Sequence, residues 1–371
     1  MRHTFERVAG AGELREFLAL TDRLYRGDPR FVPPLRQQVR DWWREGVRLY
    51  VLRDNAGKVV ARTSLHTDAD LDAKLGRPLQ LFGLTEFAED EGVAAELLSA
   101  IETAGRRAGR EAVFGPVSLL PNQSGGVITS GFAERGFADS AWNPPFYPHA
   151  YERAGYERRF EADTWICRDL RGDPAVLFPF DDARLAAEGL ALHRGNRRKL
   201  GEQLPILRGM LNASFAQLGY YTQISAEQLR RQTNGLAFLL DESLLLYLTR
   251  DDEPVAFTLC LPDISPFITA VGGDLGVVNQ LRLLATRRRY RREAILIIKG
   301  TVPGVQGAGY MRLLARELLR NLQAGGYTTL RSTNVGRDNA ASAAQFKRMG
   351  GTPLHGYTYY VKALTTGAGP L

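Results

Sequence analysis

The chain has 371 residues, 48 lysines and arginines against 41 aspartates and glutamates, and 44% hydrophobic side chains. At roughly 150 residues per domain this length predicts two domains or three, and the composition excludes a disordered chain, a coiled coil and a collagen-like fibre. Two cysteines, Cys167 and Cys260, and five histidines are too few for a disulfide framework or a Cys-based zinc site. The net charge of +7 points to anionic partners, without choosing among phosphate-bearing cofactors, acidic carrier proteins and nucleic acid.

The N-terminal stretch MRHTFERVAGAGELREF has no apolar signal core, and no run approaches the roughly 18 apolar residues of a membrane span. The expectation is a cytoplasmic protein with no membrane partner and no metal. Helices are predicted at 12–20 and 33–45, the second entered through Pro33 and Pro34. Strands at 48–54 and 58–68 flank the turn Asn55-Ala56-Gly57. A short apolar run at 79–87 precedes an amphipathic helix at 91–108 with Val93, Leu97, Ile101 and Ala104 on one face. A strand at 111–119, a short helix from 147 and a strand near 161–168 complete the first half.

Proline and glycine cluster in 171–184, which is read as a linker between a domain at 1–170 and another at 185–371. The second half repeats the order of the first. A strand at 189–195 leads to helices at 204–219 and 225–234, then a hairpin of 243–249 and 254–261 around Asp251-Asp252-Glu253. A helix at 277–289, a buried strand at 294–300, a helix at 309–323, a strand at 327–333, a helix at 338–348 and a closing strand at 355–364 follow.

The chemistry is concentrated in 294-AILIIKGTVPGVQGAGYMRLLARELLRNL-322. An apolar strand feeds a loop holding Gly304, Gly307 and Gly309, which opens directly into an amphipathic helix. First-turn amides have no intrahelical partner and the helix dipole makes the spot positive, so this is an anion cradle. The spacing meets neither the dinucleotide fingerprint nor the P-loop.

This segment resembles the acyl-CoA-binding motif of the GNAT superfamily of N-acetyltransferases, Q/R-x-x-G-x-G/A after a strand ending in Val-Pro. Val302-Pro303 supply the strand end, and Gln306, Gly309 and Met311 occupy the marked positions, Met311 in place of a small residue. Asn339, Phe346 and Gly350 fall in the register of the family's second motif. Phe346 stands where many members carry a tyrosine that protonates the leaving thiolate. In the first half, Asn143 and Tyr151 to Tyr156 are similar to the end of that motif, but Ala88-Glu89-Asp90-Glu91 replaces the glycine cradle. The segments 29–35, 82–87, 115–126 and 254–263 also resemble a bacterial group of tandem GNAT-like proteins.

The resemblance implies an α/β fold with mixed sheets, two GNAT-like domains in tandem, the first degenerate and the second cofactor-binding. It implies acetyl-CoA or another acyl-CoA as co-substrate, held by Thr301, Val302, Gln306, Gly307, Ala308, Gly309, Tyr310, Met311, Asn339 and Phe346. A strand amide near Lys299 to Val302 would polarise the thioester, and a small-molecule amine would attack directly. Candidate catalytic residues are Asn334 as a water holder, Asp263 as a base and Tyr359 as an acid, with Tyr310, Tyr357 and Tyr360 as alternatives. Asp263 also reads as a solvated turn aspartate, and the tyrosines as packing in a terminal strand. The run 287-RRRYRR-292 reads as a solvated helix end, a CoA or carrier contact, or a nucleic-acid patch. Two competing readings keep the fold: a donor that is aminoacyl-tRNA or an acyl carrier protein, and a CoA-binding protein without turnover.

Overall fold

The computed structural model describes residues 3–119, 125–233 and 239–364. Parts of the segments 115–126 and 225–234 therefore lie outside the described residues. Elements are numbered along the chain. Contacts divide it into two compact units, neither contiguous in sequence: one comprises residues up to Ala162, Ser265–Arg282 and residues from His355, the other Asp163–Ile264 and Leu283–Leu354.

The first unit holds β1 (Thr4–Arg7), β2 (Arg48–Arg53), β3 (Val59–His66), β4 (Leu79–Phe87), β5 (Ala112–Gly115), β6 (Val127–Ile128), the start of β7 (Glu157–Arg168) and nearly all of β13 (Thr352–Ala363). Its helices are α1 (Ala11–Leu24), α2 (Arg36–Arg44), α3 (Ala69–Leu75), α4 (Glu91–Arg107), α5 (Phe146–Arg153), α10 (Ser265–Ala270) and the start of α11 (Val277–Thr286). The sheet runs β1-β2-β3-β4-β5-β13, antiparallel except for β4 with β5. The helix expected to open on Pro33 and Pro34 starts at Arg36 instead, after the prolines.

The closing strand, expected to complete the second half, pairs with β5 and β6 of the first unit. Its sequence fits a strand covered on both faces. Tyr357 and Tyr359 enter a cluster with Leu79, Leu81 and Phe114, while Tyr360 and Leu364 enter another with Leu97, Val113 and Tyr151.

The second unit holds the end of β7, β8 (Leu190–Arg194), β9 (Leu245–Arg250), β10 (Glu253–Pro262), β11 (Glu293–Thr301) and β12 (Thr329–Gly336), in the order β7-β12-β11-β10-β9-β8. Its helices are α6 (Pro174–Leu177), α7 (Ala183–Ala187), α8 (Leu200–Phe215), α9 (Ala226–Thr233), α12 (Tyr310–Ala324) and α13 (Ala340–Arg348). Asp251 and Asp252, both at positive φ, make the tight hairpin between β9 and β10. On α12, Tyr310, Leu313, Leu314, Leu318 and Leu322 recur at three- and four-residue spacing and bury one face against the sheet. The segment read as a linker, 171–184, is packed: Phe178 is fully buried in the same core, and Asp182 binds the Arg316 guanidinium.

Candidate active site

β11 and β12 are parallel and paired only from Glu293↔Thr329 to Leu296↔Ser332. Beyond that pair no main-chain hydrogen bond joins them among the described residues. The Thr333 hydroxyl donates to the Ile297 carbonyl at 2.7 Å, at the point where the strands part. Opposite β10 the register shifts at Leu259/Cys260, so Ile297 is an extra residue that bends β11.

Past Thr301 the chain turns through 303–305 and enters α12. Gly307 and Gly309 have φ of +85° and +86°. A Cβ at Gly307 would meet nothing within 4 Å, so the left-handed backbone, rather than lack of space, requires glycine there. The amides of Gly307, Gly309, Tyr310 and Met311 have no acceptor among the described residues. Gln306 steadies the loop by donating its side-chain amide to the Thr301 carbonyl at 3.2 Å. Arg184 of α7 donates to the Ala308 carbonyl at 3.0 Å, and its guanidinium comes within 3.7 Å of where a Gly309 Cβ would stand. The cradle thus combines open amides, a helix N-terminus and one guanidinium, which is also paired with Glu188 at 2.5 Å. Arg184 escaped the sequence reading because it lies more than 120 residues upstream in no motif.

Beside the parted strands lies a pocket enclosing about 350 Å³, its open mouth included. It is lined mainly by apolar side chains, among them Leu296, Met311, Leu318 and Phe346, with Lys299 and Gln345 as polar members. The Lys299 ammonium donates to the Gln345 side-chain oxygen and stands 4.7 Å from the centre of the Phe346 ring. Burial holds its pKa down at about 7. The neighbouring Cys167 thiol is pushed up to about 12 by burial and stays protonated. Trp165 stacks on Phe346 at 5.9 Å.

The remaining sequence candidates scatter. Tyr310 turns its hydroxyl to Glu188, 2.8 Å away, so only its amide faces the cradle. Asn339 caps α13, accepting from the Ser342 amide at 3.0 Å. Val302 is fixed by its amide to the Val255 carbonyl. Asn334 is exposed on β12, two residues beyond the last paired position. Tyr359 is no exposed acid: it is buried against Phe114, with ring centres 5.4 Å apart. Tyr357 and Tyr360 are buried as well.

Asp263 is neither a base beside the pocket nor a solvated turn residue. It is buried, paired with Arg331 at 3.3 Å, and its amide bonds to Glu293 at the start of β11. That end lies six residues, about 20 Å, from Lys299. Arg331 also bridges to Glu293. Replacing Arg331 by methionine should cost about 3 kcal/mol, because a buried carboxylate loses its cation. Adding Asp263→Leu should recover much of that loss in urea unfolding, with pocket chemistry unchanged in the double variant.

The first unit shows how the same architecture forgoes an anion. α4 is capped by Asp90, whose carboxylate accepts the Val93 amide at 3.0 Å, so the helix start carries its own negative charge. The space beside β4 is filled by main chain: the Val117 amide donates to the Phe82 carbonyl at 2.7 Å. A Cβ at Gly83 would lie 1.6 Å from the Val117 carbonyl oxygen. That close approach explains the glycine.

Two α/β units with mixed sheets, one parting its parallel strands beside a glycine-entered helix, have the layout of the GNAT fold. The chain has its tandem form. A tandem GNAT protein from the clavulanic acid pathway superposes over all of both chains with a TM-score of 0.59 at 14% identity. A GCN5-related N-acetyltransferase from Sphaerobacter thermophilus gives 0.55 at 11% identity, covering 98% of this chain and 96% of that one. Among curated sequences, protein YghO of Escherichia coli is 24% identical, covering 95% of this chain and 93% of that protein. A bacterial ceramide synthase of Caulobacter vibrioides is 23% identical, covering 96% of each. No family model matches the chain. No described helix is long and apolar enough to cross a membrane.

Proposed function

We propose that the protein is an N-acyltransferase that moves an acyl group from acyl-CoA to the amine of a small molecule, with the donor bound by the second unit. The observation that carries this reading is the row of open amides at the start of α12, placed beside parted strands and the Lys299 pocket. The pyrophosphate fits the cradle and Arg184, and the pantetheine arm fits the gap between β11 and β12. The acceptor nitrogen attacks the thioester carbonyl, and the tetrahedral intermediate expels CoA thiolate. Nitrogen loses one proton and sulfur gains one.

Phe346 cannot give that proton. Lys299, standing over its ring, takes the role: the ammonium protonates the thiolate and the resulting amine accepts the proton shed by nitrogen. A donor with pKa about 7 transfers downhill to a thiolate whose conjugate thiol lies near 8.5. The ceramide synthase relative supports N-acylation and names an acceptor to try, since a ceramide is a fatty amide of a long-chain amino alcohol. The test is thiol release from acetyl- and palmitoyl-CoA with a panel of short polar and long-chain amines. Turnover with any amine supports the reading. CoA binding in calorimetry without thiol release would leave a non-catalytic CoA protein, and salt-sensitive tRNA binding without CoA affinity would overturn the CoA site.

A further inference from the structure

Five large apolar side chains are exposed among the described residues, and four of them lie on α11: Val277, Val278, Leu281 and Leu284, at 73, 78, 61 and 37% exposure. At about 100° per residue, Val277, Leu281 and Leu284 form one stripe with Val278 at its edge. Leu283, about 200° from Leu281, is the fully buried contact on the opposite side. The helix is therefore docked by one leucine and offers its apolar face outward, the reverse of an ordinary surface helix.

The continuation of the same helix supplies the second observation. Residues 277–292 contain six arginines and no acidic residue. Arg287, Arg288 and Arg289 follow the apolar stripe in a single turn, exposed, and form no ion pair with any described residue. Arg291 is engaged with Asp241 at 3.6 Å. An apolar stripe running into a cluster of exposed cations matches the two layers of a membrane interface. Acyl-chain boundary receives the valines and leucines, and anionic headgroups receive the guanidinium groups. Nucleic acid would use the arginines and leave the stripe wet, and a second copy would have to bring six further arginines against these.

We infer that α11 and the turn after it dock the protein on the surface of an anionic phospholipid membrane. The lack of an apolar run long enough to span a bilayer does not bear on this, because an interfacial helix needs none. The inference stands apart from the catalytic reading, since it invokes no residue of the cradle or pocket.

Flotation of the full chain with vesicles tests it. Vesicles of phosphatidylcholine with about one third phosphatidylglycerol should carry the protein, and phosphatidylcholine alone should not. Binding should fall at least about tenfold in the Val277→Ser/Val278→Ser/Leu281→Ser variant, and by as much in Arg287→Glu/Arg288→Glu/Arg289→Glu. Circular dichroism should stay unchanged, because every substituted side chain is exposed. Raising the salt to about 0.5 M should release the protein. The inference is overturned if the wild type ignores anionic vesicles at low salt, or if both variants float as well as it does. It is equally overturned if the arginines bind tRNA while vesicles have no effect. Light scattering that shows the stripe serving only self-association, dispersed by the serine variant without any vesicle binding, overturns it too.

Discussion

Gly309→Asp should cost CoA affinity about a hundredfold or more while the second unit stays folded. The position is the N-cap of α12, at φ +86°. Aspartate, like asparagine, tolerates left-handed backbone better than most side chains with a Cβ, so strain stays near 1 kcal/mol. Space is available, since the nearest atom to a Cβ there is an Arg184 nitrogen at 3.7 Å. The carboxylate would satisfy first-turn amides and pair with Arg184, as Asp90 satisfies the Val93 amide in the first unit. A pyrophosphate arriving at that cradle meets negative charge where it needs donors, and a loss of about a hundredfold or more in affinity follows. Gly309→Asn has the same backbone tolerance and no charge, so it should lose about tenfold at most. Calorimetry with CoA reads both, and thermal unfolding checks that the fold persists. An aspartate variant that binds CoA within about threefold of the wild type would remove the cradle from the site.

The cradle was legible because its chemistry is local: glycine spacing, the strand before it and the stripe after it all lie within 29 residues. Helices with strong periodicity, such as α4 and α12, were legible for the same reason. What could not be read depends on contacts distant in sequence. Arg184 reaches Gly309 across about 125 positions. The twelve-residue strand β13 has alternation that fits any central sheet, and only its pairing with Ala112–Gly115 shows which unit it serves. Asp263 has the sequence context of a turn residue, and only its pairing with Arg331, 68 positions away, shows that it belongs to the interior. Lys299 offers the sequence only its main-chain amide, because a lysine inside AILIIKGT carries no sign of which neighbours will enclose its side chain. Burial of a titratable group is a tertiary property.

Lys299→Met should lower kcat by about a hundredfold or more while leaving CoA affinity near that of the wild type. Methionine keeps the length and the contact with Phe346 and removes the transferable proton. Lys299→Arg separates chemistry from position: it keeps the positive charge over the ring, but a guanidinium does not release its proton near neutral pH. Both variants should therefore be slow, and a purely structural role would be restored by arginine. The wild-type kcat profile should show a descending limb near pH 7, as the ammonium is titrated, and that limb should be missing from both variants. Stability moves in the opposite sense. The folded pKa of about 7 lies below the ordinary 10.5, so holding the charged form in the pocket destabilises the fold. That penalty is full below pH 7 and disappears as the pH rises through 10.5. Lys299→Met should thus melt above the wild type at about pH 6, with the difference narrowing towards pH 10. A group that costs stability at the pH where it is charged, and whose removal costs turnover, is held there by its chemistry. Phe346→Tyr in the Lys299→Met background adds a third readout, because it places a proton-bearing hydroxyl on the rim of the ring over which the ammonium stood. About tenfold recovery of kcat is expected, and Lys299→Met at wild-type speed with its alkaline limb intact would refute the assignment.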